Sequence, residues 1–407
     1  MLVEYMKVFI ARQPIFKSNK RVFGYELLFR NGLENSFPDV DGDDATSILL
    51  SNIFFPFDFT EILGGKPGLI NFTEKLILQK TPLLLPKEHF IIEVLEDIEP
   101  NEKVIAALAL ICEKGYTIAL DDFVYHKKFL PMMELCNIIK FDLRITPLDD
   151  LCEIVKQIKA NHKIVLLAEK IETYSEFEQA KELGFDLFQG YFFAKPQILS
   201  TKAIAPNQRT KLKLINELGK KELILRNILA LVKNDTSITF KLLKFINSAY
   251  FNRRTPIDTV KDAINYLGTD ELRKFISMVV ISELSVDKPN ELVRASIIRA
   301  RMCEGCGSLL ITDFSTDELF TLGLFSFIDA ILDCDMENVL HHILFSERMK
   351  NALFGKDKKF NMLLSIVKSF EQGNWNNKIF AAVSGKAIES KFSDHYLESV
   401  KMANSFF

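Results

Sequence analysis

A chain of 407 residues, 48% hydrophobic and 26% charged, has a globular composition and is long enough for two domains with full cores. A net charge of −3 removes any general case for nucleic-acid binding, although a local cluster of metal and basic side chains can still hold a small anion. Residues 1–10 lack the basic head and long apolar core of a secretion signal, and no uncharged apolar run reaches membrane-spanning length. The expectation is a cytoplasmic protein with no membrane partner. Six scattered cysteines fit reduced thiols, and Cys303 and Cys306 form a lone pair without a second pair at zinc spacing.

In chain order, two apolar runs at 8–16 and 22–30 flank the polar turn 17–20 and predict a hairpin. Glu26 is a lone acid inside the second run. Buried there, it must be paired, protonated or bound to metal, and a salt bridge to Arg12 or Arg30 is the plain alternative. The acidic stretch 39–44 has the look of a calcium loop, but Leu50 stands where the bidentate Glu belongs. It reads as a loop capping a helix that begins near Ala45.

From residue 68 onward one pattern recurs, a short apolar run ending in a polar residue able to act as a ligand. The runs are 68–71, 90–93, 117–121, 138–140, 164–169 and 186–189, closed by Asn71, Glu93, Asp121, Lys140, Glu169 and Gln189. The closing residues fall roughly 20 to 30 positions apart, the length of a strand-plus-helix unit, with helix-like segments at 102–114 and 176–183 between them. Units of this kind close most naturally into an eight-fold β/α barrel whose site gathers at the carboxyl ends of the strands. The sharpest instance is 117–123, where a buried strand runs into the adjacent acids Asp121 and Asp122. Two such acids call for a cation between them, most simply a divalent metal.

These residues carry a resemblance. Gln13-Pro-Ile, Gly24-Tyr-Glu26-Leu-Leu-Phe-Arg30, Asn71, Glu93-Val-Leu-Glu96, Asp121-Asp122-Phe123, Lys140-Phe-Asp142, Ala168-Glu169-Lys-Ile-Glu172 and the run from Gln189 to Pro196 resemble, in order and spacing, the EAL domain. That family hydrolyses cyclic di-GMP to the linear dinucleotide pGpG. The resemblance implies that Glu26, Asn71, Glu93 and Asp121 hold one Mg²⁺ or Mn²⁺ and that Asp121 and Asp122 hold a second. It further implies that Glu169 is the general base, that Lys140 and Gln189 position water and screen phosphate charge, and that Gln13 and Arg30 contact the nucleotide. Three departures stand out. The loop 124–130 has no glycine and adds two lysines where active relatives are rich in glycine and serine. Glu172, which matches the anchor of that loop, therefore has something different to hold. Lys170 stands where the family pattern has glycine. Two readings remain: a metal-dependent phosphodiesterase, and a cyclic di-GMP receptor or scaffold that does not hydrolyse it. The family commonly dimerises through this loop, so a homodimer is a further expectation.

After residue 196 the pattern changes. Residues 198–208 read as a linker, and an apolar helical stripe follows over 211–233. Residues 237–251 with Ile257, Val260, Ile264 and Leu267 resemble the core of an HDOD domain, a helical module related to HD phosphohydrolases. The adjacent His-Asp pair of those enzymes has no counterpart in 322–327, and a metal-free module that binds a protein partner is implied. His341 and His342 point to different sides of a helix, Asn247 and Ser248 read as joining helices, and Trp375 falls in a loop-like run. Phe406 and Phe407 either dock on the domain or offer a contact point. The expected architecture is α/β plus all-α, a modified (β/α)8 TIM-type barrel over 1–200 followed by an all-helical HDOD domain over 201–407.

Overall fold

A computed structural model describes residues 9–30, 59–195, 236–251, 255–285, 288–310, 313–373 and 386–407. The capped helix near Ala45, the linker 198–208, the stripe 211–233 and Trp375 lie outside those residues. The first two strands form the predicted hairpin: β1 (Phe9–Lys17) pairs antiparallel with β2 (Val22–Arg30). The Lys20 N–H donates to the Lys17 carbonyl at 2.8 Å to close the turn.

Six strands follow, within a residue or two of the runs that predicted them: β3 (Gly68–Phe72), β4 (Phe90–Val94), β5 (Thr117–Leu120), β6 (Ile138–Asp142), β7 (Val165–Glu169) and β8 (Leu187–Gln189). Every pair from β2–β3 to β7–β8 is parallel, β1 is antiparallel to both β2 and β8, and the sheet closes. The reversed first strand is the modification of the eight-fold pattern. Strands buried on both faces read as unbroken apolar runs, which is why these were visible in the sequence.

The outer helices show the spacing expected of one buried face. Glu102–Glu113 buries Val104, Ala107, Leu108 and Ile111, and the Asn101 side chain caps it by accepting from the N–H groups of Lys103 and Val104. Leu148–Asn161 buries Leu151, Val155 and Ile158. Tyr174–Leu183 starts on the Thr173 cap and stops at Gly184, whose φ of 110° suits glycine.

Inside the barrel, Ile15, Leu69, Ile91, Ala119, Ile138, Leu167 and Leu187 pack into one buried apolar layer. On the six strands from β3 to β8, the side chain two positions further on is Asn71, Glu93, Asp121, Lys140, Glu169 and Gln189. Side chains two apart on a strand share a face, so the apolar layer is the floor of the site and the polar layer its lining. On β1 the order is inverted: Gln13 precedes Ile15, because that strand runs the other way. Each large floor side chain contributes roughly 1.5–3 kcal/mol of burial beneath the charged layer.

The chain divides into two compact units, Met1–Phe192 with Glu371–Gly373, and Phe193–Phe370 with Asn374–Phe407. All regular structure described in the second is helical. Asn290–Leu310 lies against Thr316–Phe325 and Lys386–Phe406 at its centre. At Gly323 a Cβ would run into the backbone of Arg299 and Ala300, so the glycine sets how closely two of these helices approach. Asn247 joins segments as expected, donating to the Ile257 carbonyl at 2.8 Å and accepting from its N–H at 2.7 Å. Phe406 docks: it is buried, edge-on to Phe245, and packed on Phe275. Phe407 lies under the Arg294 guanidinium. His341 and His342 are both exposed. All six cysteines are free, and burial pushes the Cys306 thiol well up.

Candidate active site

Lys140 on β6 is 1% exposed and sits among four acids brought in by four other strands. Its Nζ lies 2.7 Å from Glu93 Oε1, 2.7 Å from Asp121 Oδ1, 2.9 Å from Glu169 Oε1 and 3.7 Å from Glu26 Oε2. Burial alone would lower the ammonium pKa, but these carboxylates raise it, so the lysine is a permanent cation. One positive charge cannot balance four negative ones. Burial drives Glu93 and Glu169 well above the usual carboxylate range; Lys140 opposes this, and repulsion from Glu26 and Asp121 adds to it. Asp122, just outside the ring at a φ of 38°, is also raised, by burial and then by Asp121.

Glu26 is not isolated. It accepts from Gln189 Nε2 at 2.7 Å and Asn71 Nδ2 at 3.3 Å. Gln189 Nε2 also donates to Gln13 Oε1 at 3.1 Å, joining the two ends of the barrel sequence. The turn that carries Gln189 past Ile171 depends on Gly190, at φ 147°, where any Cβ would collide with the Ile171 backbone. The structure thus gathers Gln13, Glu26, Asn71, Glu93, Asp121, Asp122, Lys140, Glu169 and Gln189 at one mouth. The Arg30 side chain lies outside the described residues. Glu172 is exposed at the turn after β7, and its N–H donates to Glu176.

Buried oxygens without donors test whether a cation fits. Asn71 Oδ1, Glu93 Oε2 and Gln189 Oε1 accept no hydrogen bond, although all three are fully buried. Asn71 is turned so that its amide holds Glu26 and its carbonyl oxygen is left over. Oxygen atoms of Asp121, Asp122 and Glu169 also lie within 4.8 Å of one another. Uncompensated hard oxygen donors on rigid strands are what a small divalent cation requires, and the residues fit one. Beside them a cavity of about 200 Å³ is walled by Leu95, Leu120, Phe123, Phe129 and Ile145.

Two residues here were given no role by the sequence, Asp142, which appeared only as the end of a motif, and Arg144, which did not appear at all. Asp142 lies two positions beyond Lys140 on the same face of β6 and is 3% exposed. Arg144 donates to the Lys170 carbonyl and pairs with Glu176 at 2.7 Å, bracing the turn after β7. The strand parity of Asp142 was the available signal; Arg144, on an exposed turn, carried none. In the loop 124–130, Lys128 pairs with Glu99 at 2.8 Å and Phe129 packs edge-on to Phe123.

An acid-lined barrel with a reversed first strand, in a chain that also carries a separate helical unit, defines a two-domain protein of the EAL type. Family models bear on both parts: the EAL domain matches residues 60–196 and the HDOD domain residues 205–344. The chain belongs to the family of EAL proteins that carry an HDOD domain. It is 34% identical to cyclic di-GMP phosphodiesterase CdgJ of Vibrio cholerae, over 90% of this chain and 85% of that one. It is 32% identical to the uncharacterized protein YuxH of Bacillus subtilis, over 98% and 99% respectively. Among solved structures, the Bacillus subtilis YkuI protein with an EAL domain, in complex with cyclic di-GMP and calcium, is 20% identical. The match covers 67% of this chain and 74% of that one, with a TM-score of 0.38. Among the described residues no helix is long and apolar enough to cross a membrane.

Proposed function

We propose that this chain is a metal-dependent phosphodiesterase that opens cyclic di-GMP to pGpG. The observation that carries the reading is the buried excess of acid around Lys140, together with the leftover oxygen of Asn71. A 34% identical relative named as a cyclic di-GMP phosphodiesterase supplies the substrate. Glu26, Asn71, Glu93 and Asp121 would hold Mg²⁺ or Mn²⁺, with Asp122 at the edge of that site; the ion when bound supplies a Lewis acid for the phosphodiester and for water. Glu169 takes the proton of the attacking water; it stands at the mouth with its Oε1 2.9 Å from the Lys140 ammonium. Lys140, held cationic, faces the charge that grows on the phosphate, and Gln189 and Gln13 hold one edge of the mouth by their shared amide contact. The apolar wall from Leu95 to Ile145 offers a purine a surface to stack on.

The helical unit is read as the module that engages a protein partner. Its exposed Tyr250 and Tyr266, both packed against Phe251, support this, since exposed aromatic side chains close together mark interaction surfaces. A second reading, a receptor that binds the nucleotide without cleaving it, is favoured by the glycine-free loop 124–130, pinned through Lys128 and Phe129. One experiment decides between them. Full-length protein is incubated with cyclic di-GMP and Mn²⁺ and the products are resolved by chromatography, with Glu169→Gln alongside. pGpG from the wild type alone is expected; nucleotide bound without product establishes the receptor.

A further inference from the structure

Lys170 occupies a position that suits glycine. Its φ is 55°, in the left-handed region that disfavours any residue with a Cβ. Two contacts hold it there. The Arg144 guanidinium donates to its carbonyl, and its own ammonium pairs with Asp142 Oδ2. The Asp142 side chain is 2% exposed, so this is a buried carboxylate compensated from the rim of the site. The same ammonium lies 3.9 Å from Asp122 Oδ2. Asp122 is itself left-handed, at φ 38°. Two strained residues therefore meet at the mouth, one a cation and the other an acid whose oxygen lies within 4.8 Å of oxygens of Asp121 and Glu169.

We propose that Lys170 serves as a built-in cation at the Asp122 and Asp142 edge of the site, in place of a second divalent ion, so that each barrel takes up one divalent ion. The inference rests on the metal-dependent reading of the mouth. A divalent ion coordinated through Asp122 Oδ2 would face the ammonium at close range, two positive charges against one, while that ammonium is held in place by its pair with Asp142. The four inner acids share Lys140, one ammonium among four carboxylates, and Glu93 Oε2 and Asn71 Oδ1 beside them accept no hydrogen bond. A tethered ammonium also reaches Asp122 without the entropy of capturing an ion from solution, and its long stem, about half exposed, can follow a bound phosphate.

The test counts ions without reference to turnover. Full-length protein stripped with chelator is titrated with Mn²⁺, and free ion is read from its paramagnetic resonance signal. Wild type is expected to bind one ion per chain. Lys170→Gly, which removes both the ammonium and the backbone strain, and Lys170→Met, which removes only the charge, are each expected to bind two, the second at least tenfold tighter than any second site in wild type. Lys170→Arg should remain at one. Two ions in wild type, or one in both uncharged variants, overturns the assignment. No ion in any of the proteins overturns it together with the metal-dependent reading. A wild type that binds one ion and makes no pGpG overturns the phosphodiesterase alone.

Discussion

Each half of the molecule contains a lysine surrounded by acids, and the two clusters are built to opposite ends. In the barrel, Lys140 faces Glu26, Glu93, Asp121 and Glu169, all largely buried. In the helical unit, Lys274 lies 3.1 Å from Glu271, 2.5 Å from Glu304 and 3.2 Å from Asp317, and Arg301 joins it at 2.7 Å from both Glu271 and Glu304. Two cations there meet three acids at a partly wet surface. The carboxyl groups record the difference. Burial would raise Glu271, but hydrogen bonding and attraction from Arg301 and Lys274 bring it below the usual carboxylate range, whereas Glu93 and Glu169 stand well above it. A cluster within one charge of balance holds helices together; one that sets a single cation against four acids is poised for a cationic ligand.

The comparison can be broken in several places. Removing the base should have the largest effect: Glu169→Gln is expected to lower the rate of pGpG formation by about a thousandfold, near 4 kcal/mol, in a steady-state assay. Next comes a pair of substitutions that should differ in sign. In chelator, Glu93→Gln relieves a buried acid excess and is expected to raise the melting temperature, by about 1–2 kcal/mol in stability. With Mn²⁺ at a hundred times its Kd the order should reverse, because only the wild type collects the roughly 2.7 kcal/mol of binding. Glu271→Gln should destabilise under both conditions, by about 0.5–1 kcal/mol, a small figure because the side chain is 42% exposed and the pairs are screened. If calorimetry shows the two variants moving together in chelator, the contrast between the clusters is wrong.

The smallest effect is one of pH. Glu271 has a folded pKa below its unfolded value, so its contribution is complete above about pH 4.5 and is lost as the pH falls through the depressed folded value. Stability of the wild type should decline across that acidic window, and Glu271→Gln should flatten the decline. A variant whose curve keeps the wild-type slope would remove Glu271 as the group responsible.

The barrel was legible because its strands are buried on both faces and end in polar residues: apolar runs such as 90–92 and 138–139 have no other use in a chain of this composition. The ring around Lys140 followed from the same pattern and from the resemblance that assigned its members. What escaped the sequence depends on dihedral angles and long side chains. Lys170 could be seen to replace a glycine, but its reach to Asp142 and Asp122 follows from a left-handed backbone and from Arg144 behind it. The docking of Phe406 was equally hidden, since two terminal aromatics read the same whether packed or free until Phe245 and Phe275 are in place around them.

The reversed first strand also fixes when the barrel can be finished. Ile15 pairs with Gln189, and Gln13 shares its amide contact with the same residue, so the seam joins positions 176 apart in sequence. During synthesis the hairpin of β1 and β2 emerges early and keeps an open edge until β8 leaves the ribosome, which at about 5–20 residues per second is a wait of roughly ten seconds or more. Throughout that interval the nascent chain carries an unpaired strand edge and an acid mouth that lacks one wall. The catalytic pocket is thus assembled last, by the two ends of its domain, and a fragment that stops short of residue 187 would leave a sticky, unclosed sheet in place of a smaller enzyme.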